Sequence, residues 1–152
     1  MRLLWRSMGL RCAAALYMTL LASGHAASAQ TEAPAFVPMP AGVTVKILEP
    51  ATGASVTSPV RIVFRLQGAL LRPAGPPQPG AGHFHLLIDS PVVPAGQLIP
   101  SDANHLHFGK GQSEATIALA PGTHTLTLLL ADGVHRSYGK AQSDTITLTI
   151  LP

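Results

Sequence analysis

Cysteine, charge and aromatic rings are scarce in this chain, and each scarcity removes a class of function. The single cysteine, Cys12, lies in an N-terminal stretch that reads as a removable leader. Past that stretch there is no disulfide and no thiolate, which excludes zinc ribbons, cysteine nucleophiles and blue-copper centres. Met39 is the one methionine beyond the leader, so the thioether-rich sites that suit Cu(I) are not expected either. Of ten Lys and Arg, three (Arg2, Arg6 and Arg11) fall in the leader, leaving seven against seven Asp and Glu. A near-neutral chain offers nucleic acid or an anionic membrane surface no electrostatic attraction, so neither is expected as a partner. No apolar run past the leader approaches the ~20 residues of a membrane span.

The leader itself has three parts. Its arginines form a positive first region, Ala13 to Ala22 an apolar one, and Ala27-Ser28-Ala29 a small-residue cleavage site before Gln30. No two arginines are adjacent, and Cys12 precedes the apolar region instead of ending it, so neither twin-arginine export nor lipid attachment is indicated. The reading is a bacterial export signal over 1–29, cleaved after Ala29, and a periplasmic or secreted product.

About 120 residues then remain, enough for one domain with one core. Residues 30–42 carry Pro34, Pro38 and Pro40 without apolar periodicity and are expected to be a flexible lead-in. From residue 43 onward the pattern is that of strands. Val43, Val45 and Ile47 alternate with Thr44 and Lys46; Val60 to Leu66 alternates again; His83 to Asp89, His105 to Phe108, Ala115 to Leu119, Thr123 to Leu130 and Thr145 to Leu151 follow. ATGASVTSP reads as turn chemistry, and Gly68 to Gly82 as a long Pro- and Gly-rich loop. About seven short strands without a helix predict an all-β fold, a single immunoglobulin-like β-sandwich over 43–152, with a closed barrel as the competing architecture. The expected core is Val45, Ile47, Ile62, Phe64, Phe84, Leu86, Ile88, Leu126, Leu128, Leu130, Ile146, Leu148 and Ile150.

Histidine is what the chain has in plenty. Four of the six beyond the leader form two His-x-His pairs, His83/His85 in GHFHLLID and His105/His107 in NHLHFG. On a strand, residues i and i+2 share a face about 6.7 Å apart, so each pair offers two imidazoles converging on one point. A metal-binding quartet of His83, His85, His105 and His107 is therefore expected, with Cu(II) or Zn(II) as the ion, since both accept neutral imidazole. Strand parity turns Phe84 inward and His83 and His85 outward or to a rim. Binding is expected to weaken as pH falls through about 6.5, where protons compete for imidazole nitrogen. His135, in a polar loop, is an accessory candidate. Asp102 and Glu114, the carboxylates nearest the pairs in sequence, are candidates to fix a ligand's tautomer. His124, just after the turn Pro121-Gly122, is expected to be structural, bonding back across a sandwich corner.

At GHFHLLID, IPSDANHLHFGKGQSEATIAL and PGTHTLTLLLAD the chain strongly resembles the domain-of-unknown-function family numbered 4399, over about Val43 to Leu151. The first motif takes in His83, His85 and Asp89. The second takes in Asp102, His105, His107, Phe108, Gly109, Gly111, Gln112 and Glu114, and the third His124. The resemblance implies an exported bacterial domain with a sandwich fold, and brings no established activity. Two departures stand out. Phe84 replaces a histidine that family members often carry between the first two. GVHRSYGKAQ replaces a His- and Pro-rich cluster, with His135 matching one histidine of it and Tyr138 standing where another is expected.

The leading functional expectation is an extracytoplasmic module that scavenges, buffers or delivers a divalent metal ion. A second is a metalloenzyme, because HFH is similar to the metal strands of copper/zinc superoxide dismutases; the bridging histidine and aspartate-containing zinc loop of that family are not found here. A third is a cell-envelope module that binds another protein or a glycan and uses its histidines for the fold alone. No catalytic residue is assigned, because no Ser/His/Asp order or paired-carboxylate spacing stands out.

Overall fold

The computed structural model describes residues 34–152, so the stretch 1–29 read above as an export signal lies outside the described residues. Alternating, β-branched sequence produces strands, and tertiary pairing adds two more that are too short to show any periodicity. In chain order they are β1 (Thr44–Glu49), β2 (Ser55–Thr57), β3 (Val60–Gln67), β4 (Leu70–Leu71), β5 (Ala81–Ile88), β6 (His105–Phe108), β7 (Glu114–Ile117), β8 (Gly122–Ala131) and β9 (Ser143–Leu151). β2 and β4 fall in stretches that read as turn and loop. Each is a parallel add-on, β2 to the end of β9 and β4 to the start of β5.

The domain is all-β with two sheets. One has the order β1-β3-β7; the other runs β2-β9-β8-β5-β4, with β6 also pairing β5, and is strongly curled into a half-barrel. The core lies between them. Ile62 and Phe64 of β3, Phe84 and Leu86 of β5, Leu126, Leu128 and Leu130 of β8, and Leu148 and Ile150 of β9 are all nearly or fully buried in it. The rings of Phe64 and Phe84 meet edge-on with centroids 5.5 Å apart, an arrangement that adds to area burial. Every expected core position lies in or against this cluster. Val43, Val60, Phe108, Ile117 and Tyr138 join it as well.

Residues 34–42 have no regular strand structure, yet Phe36 and Met39 pack on the core, with the Phe36 ring 5.6 Å from that of Tyr138. The Arg136 guanidinium donates to the carbonyls of Pro34 and Ala35 and sits over the Phe36 ring. One planar cation with several donors thus ties down a segment that lacks any partner strand.

At one corner of the larger sheet His124 is fully satisfied. Its Nδ1 lies 2.7 Å from Asp89 Oδ2 and its Nε2 3.0 Å from the Ala120 carbonyl, while Asp89 Oδ1 accepts from the Thr125 amide. Both ring nitrogens face acceptors, which favours the doubly protonated ring, and the Asp89 hydrogen bond raises the His124 pKa above its ordinary 6.5.

Two outcomes are expected. Phe84→Ala should cost about 3–5 kcal/mol in urea unfolding, because a fully buried ring is removed from a packed core. Because the folded pKa of His124 is raised, its staple contributes fully below about 6.5 and fades as pH rises through the higher folded value. The thermal-midpoint gap between wild type and His124→Gln should therefore shrink from pH 6 toward pH 9; a constant gap would contradict the cationic staple.

Candidate metal centre

Strand parity places His83, His85 and Leu87 on the face of β5 opposite Phe84 and Leu86, as expected, but that face is not at a rim. His83 is 0% and His85 3% exposed. Leu87, Leu129 and Ala131 of the sheet and Val93 and Ile99 of the connection after β5 form a second small apolar cluster over it. That connection is stitched to the loop after β8 by Ile99 N–H to the His135 carbonyl, Ser137 N–H to the Gln97 carbonyl and Ser137 Oγ to the Val93 carbonyl. β5 is therefore buried on both faces, and two histidines lie where a solvated edge was expected.

The register of β5 and β6 supplies the third histidine. The pairing is antiparallel with His85 directly opposite His107, so their rings share a face, centroids 5.0 Å apart. Glycine at 109 makes room for this: a Cβ there would overlap the His107 ring.

The fourth comes from the loop after β8. Asp132, 2% exposed, accepts through Oδ1 from the amides of Val134 (3.0 Å) and Arg136 (2.8 Å) and through Oδ2 from Arg136 Nε (2.7 Å). His135 is held between them in the left-handed region at φ 70, which costs a non-glycine residue about 1–3 kcal/mol and persists only when its surroundings enforce it. The enforced loop aims the ring at the other three. His83 Nε2 lies 3.1 Å from His85 Nε2, and His135 Nε2 lies 3.2 Å from His107 Nε2. One nitrogen from each ring falls within 4.8 Å of every other, a group that can hold a metal ion.

Among the described residues none of these four rings hydrogen-bonds outside the cluster; His83 and His85 are buried, His135 is half-buried and His107 is exposed. The Nδ1 atoms of both His83 and His85 are buried with no hydrogen-bond partner, a state costing about 1–3 kcal/mol for each orphaned group. His124 shows what a structural histidine looks like here, with an acceptor on each nitrogen. Burial, then repulsion from His107 and His135, lowers the His83 pKa to about 4. Burial, then repulsion from the other three rings, lowers that of His85 to about 3. Burial and His135 lower His107 as well. His83 and His85 are thus kept neutral, with lone pairs available to a cation. The buried Asp132 carboxylate is the one nearby group that favours positive charge on His83.

Of the expected quartet, the structure brings His83, His85 and His107 together. His105 is not in the cluster. It stands opposite Leu87, one two-residue step along β6 from His107, and its Nδ1 lies 2.7 Å from Asp102 Oδ1. Asp102 also caps the turn by accepting from the Asn104 amide, and so orients His105 instead of a cluster ring. Glu114 is paired with Arg61 at 2.6 Å on the exposed face of the smaller sheet, where β7 borders β3, and takes no part. His135, read as accessory, is a full member. Tyr138 faces the core and donates to the Ala81 carbonyl. The contributions of Asp132 and Gly109 had no readable signal beyond D-G-x-H and H-F-G, since neither follows a strand period.

The chain matches the family described as "Domain of unknown function (DUF4399)" over residues 62–151 and belongs to it. No curated protein and no solved structure matches it.

Three measurements check this geometry. Proton NMR titration of the metal-free protein should leave the His83 and His85 rings neutral at pH 6, with midpoints near 4 and 3. Because those folded values lie below the unfolded 6.5, the unfolded chain binds protons first, and the metal-free domain should lose stability as pH falls from about 6.5 toward 4. Gly109→Ala should displace the His107 ring while leaving β-sheet circular dichroism intact, visible as a shifted His107 resonance with unshifted core methyl signals.

Proposed function

We propose that this domain is an exported module that binds one divalent transition-metal ion, Cu(II) or Zn(II), through His83, His85, His107 and His135. The observation that carries the reading is the convergence of one nitrogen from each of four histidines to within 4.8 Å of one another, two of the rings being buried. Histidines that served only the fold would be bonded as His124 is. Nitrogen ligands around an ion at about 2.0–2.1 Å stand about 3–4 Å apart. Two of the pairs are already at 3.1 and 3.2 Å, so closure by about 1 Å at the widest pair would bring all four nitrogens onto one ion. Export rests on the leader pattern at 1–29, and places the module where extracytoplasmic metal reaches it. The strand order supports reading the two sheets as immunoglobulin-like: β1-β3-β7 forms one layer, β9-β8-β5-β6 the other, and β2 joins β9 in parallel as the continuation of the first strand.

An ion here would be held by neutral donors, with Asp132 as the nearest buried countercharge. Proton competition for His83 and His85 then begins well below 6.5, because burial has already made those rings poor bases. A site of this kind suits retention of metal in mildly acid surroundings. The interaction-module reading leaves the four-ring convergence unexplained.

Protein purified without a histidine tag should bind one equivalent of Cu(II) or Zn(II) by calorimetry and elemental analysis. His85→Ala combined with His107→Ala should abolish stoichiometric uptake with the β spectrum retained. His124→Gln should bind like wild type. Equal binding by the double variant would remove the reading.

A further inference from the structure

The cluster leaves one carboxylate–imidazole pair beside it unexplained. His105 Nδ1 lies 2.7 Å from Asp102 Oδ1. An ionised carboxylate only accepts, so Nδ1 carries the proton and Nε2 presents its lone pair, the form of the ring that a metal ion can use. His105 lines a cleft of about 290 Å³ together with His85, His107, His135 and the apolar residues Leu98 and Ile99. No lysine or arginine lines that cleft. The Asp102 side chain, 52% exposed beside His105, places a full negative charge at its edge. Standing one two-residue step along β6 from His107, His105 is about 6.7 Å away along the strand. Its ring is turned to Asp102 and is not among the nitrogens that converge in the cluster, yet it lines the same cleft, near enough to exchange an ion with them.

Resting on the metal reading of that cluster, we propose that His105, oriented by Asp102, is a transfer ligand that captures a hydrated divalent transition-metal ion in the cleft and passes it to His107 and His135. Capture replaces one coordinated water by His105 Nε2. Transfer replaces His105 Nε2 and further waters by cluster imidazoles, with no change of oxidation state. The same steps in reverse are the release path, so His105 governs how fast the ion moves and not how tightly it finally rests. The carboxylate contributes by raising the local cation concentration at the mouth of the cleft.

Stopped-flow absorbance with aqueous Cu(II) and tag-free protein tests this, alongside equilibrium titration and electron paramagnetic resonance of the loaded forms. His105→Ala should slow association and release alike, by about tenfold each, with dissociation constant and nitrogen hyperfine pattern as in wild type. Asp102→Asn, which keeps the ring in place, should also slow association, and its deficit should close as salt screens the charge. Unchanged rates in His105→Ala would make the residue a bystander and overturn the proposal. Weakened affinity with an altered nitrogen pattern would overturn it too, by making His105 a resident ligand. Absence of any Cu(II) or Zn(II) uptake by wild type would instead remove the metal reading itself, and the proposal with it.

Discussion

The burial of β5 on both faces is the constraint on which this molecule turns. An edge-to-centre strand of a two-sheet domain ordinarily has one apolar face on the core and one in water. Here β5 is covered on its second face by Val93 and Ile99 and by the loop after β8, which lie over Leu87, Leu129 and Ala131. That covering removes His83 and His85 from solvent. It also carries His135 into place, because Asp132 and Arg136 fold their loop around the same site. The Arg136 side chain reaches on to Pro34 and Ala35, so even the docking of the lead-in is an extension of this cap.

The electrostatic consequences follow from the covering. Burial, and then the neighbouring imidazoles, oppose the protonation of His83 and His85, so these two rings stay neutral far below their ordinary range. For a metal-free protein this is a poor use of buried polar groups, since two ring nitrogens remain without partners. The cost is local and is not offset by any hydrogen bond nearby. A cation bound among the converging ring nitrogens would use lone pairs that otherwise face one another at 3.1 and 3.2 Å, which is why the arrangement reads as a binding site and not as a stabilising network. The contrast with His124, bonded at both nitrogens and pushed toward the charged form, lies within the same chain.

Much of the frame was legible in the sequence, because it depends on period-two alternation. The parity of Phe84 against His83 and His85, the inward run Leu126, Leu128 and Leu130, and the strand at His105 to Phe108 all follow from that rule. Register is a different matter. His-x-His spacing says that His105 and His107 share a face, but only the pairing of His85 with His107 decides which of them meets the first pair, and His105 falls beside Leu87 instead. The fourth ring was harder still to see. His135 depends on an Asp-capped loop and a left-handed backbone, neither of which has a period. The burial of the outer face comes from a long connection whose apolar residues, Val93 and Ile99, are too sparse to announce a second cluster.

The most direct test of the metal centre is a crystal of the tag-free protein grown with Zn(II) or Cu(II) and measured at the metal's absorption edge. The expected result is a single anomalous peak within bonding distance of Nε2 of His83, His85, His107 and His135, with His105 still bonded to Asp102. A peak centred on His105 and Asp102, or none at the four rings, would contradict the account.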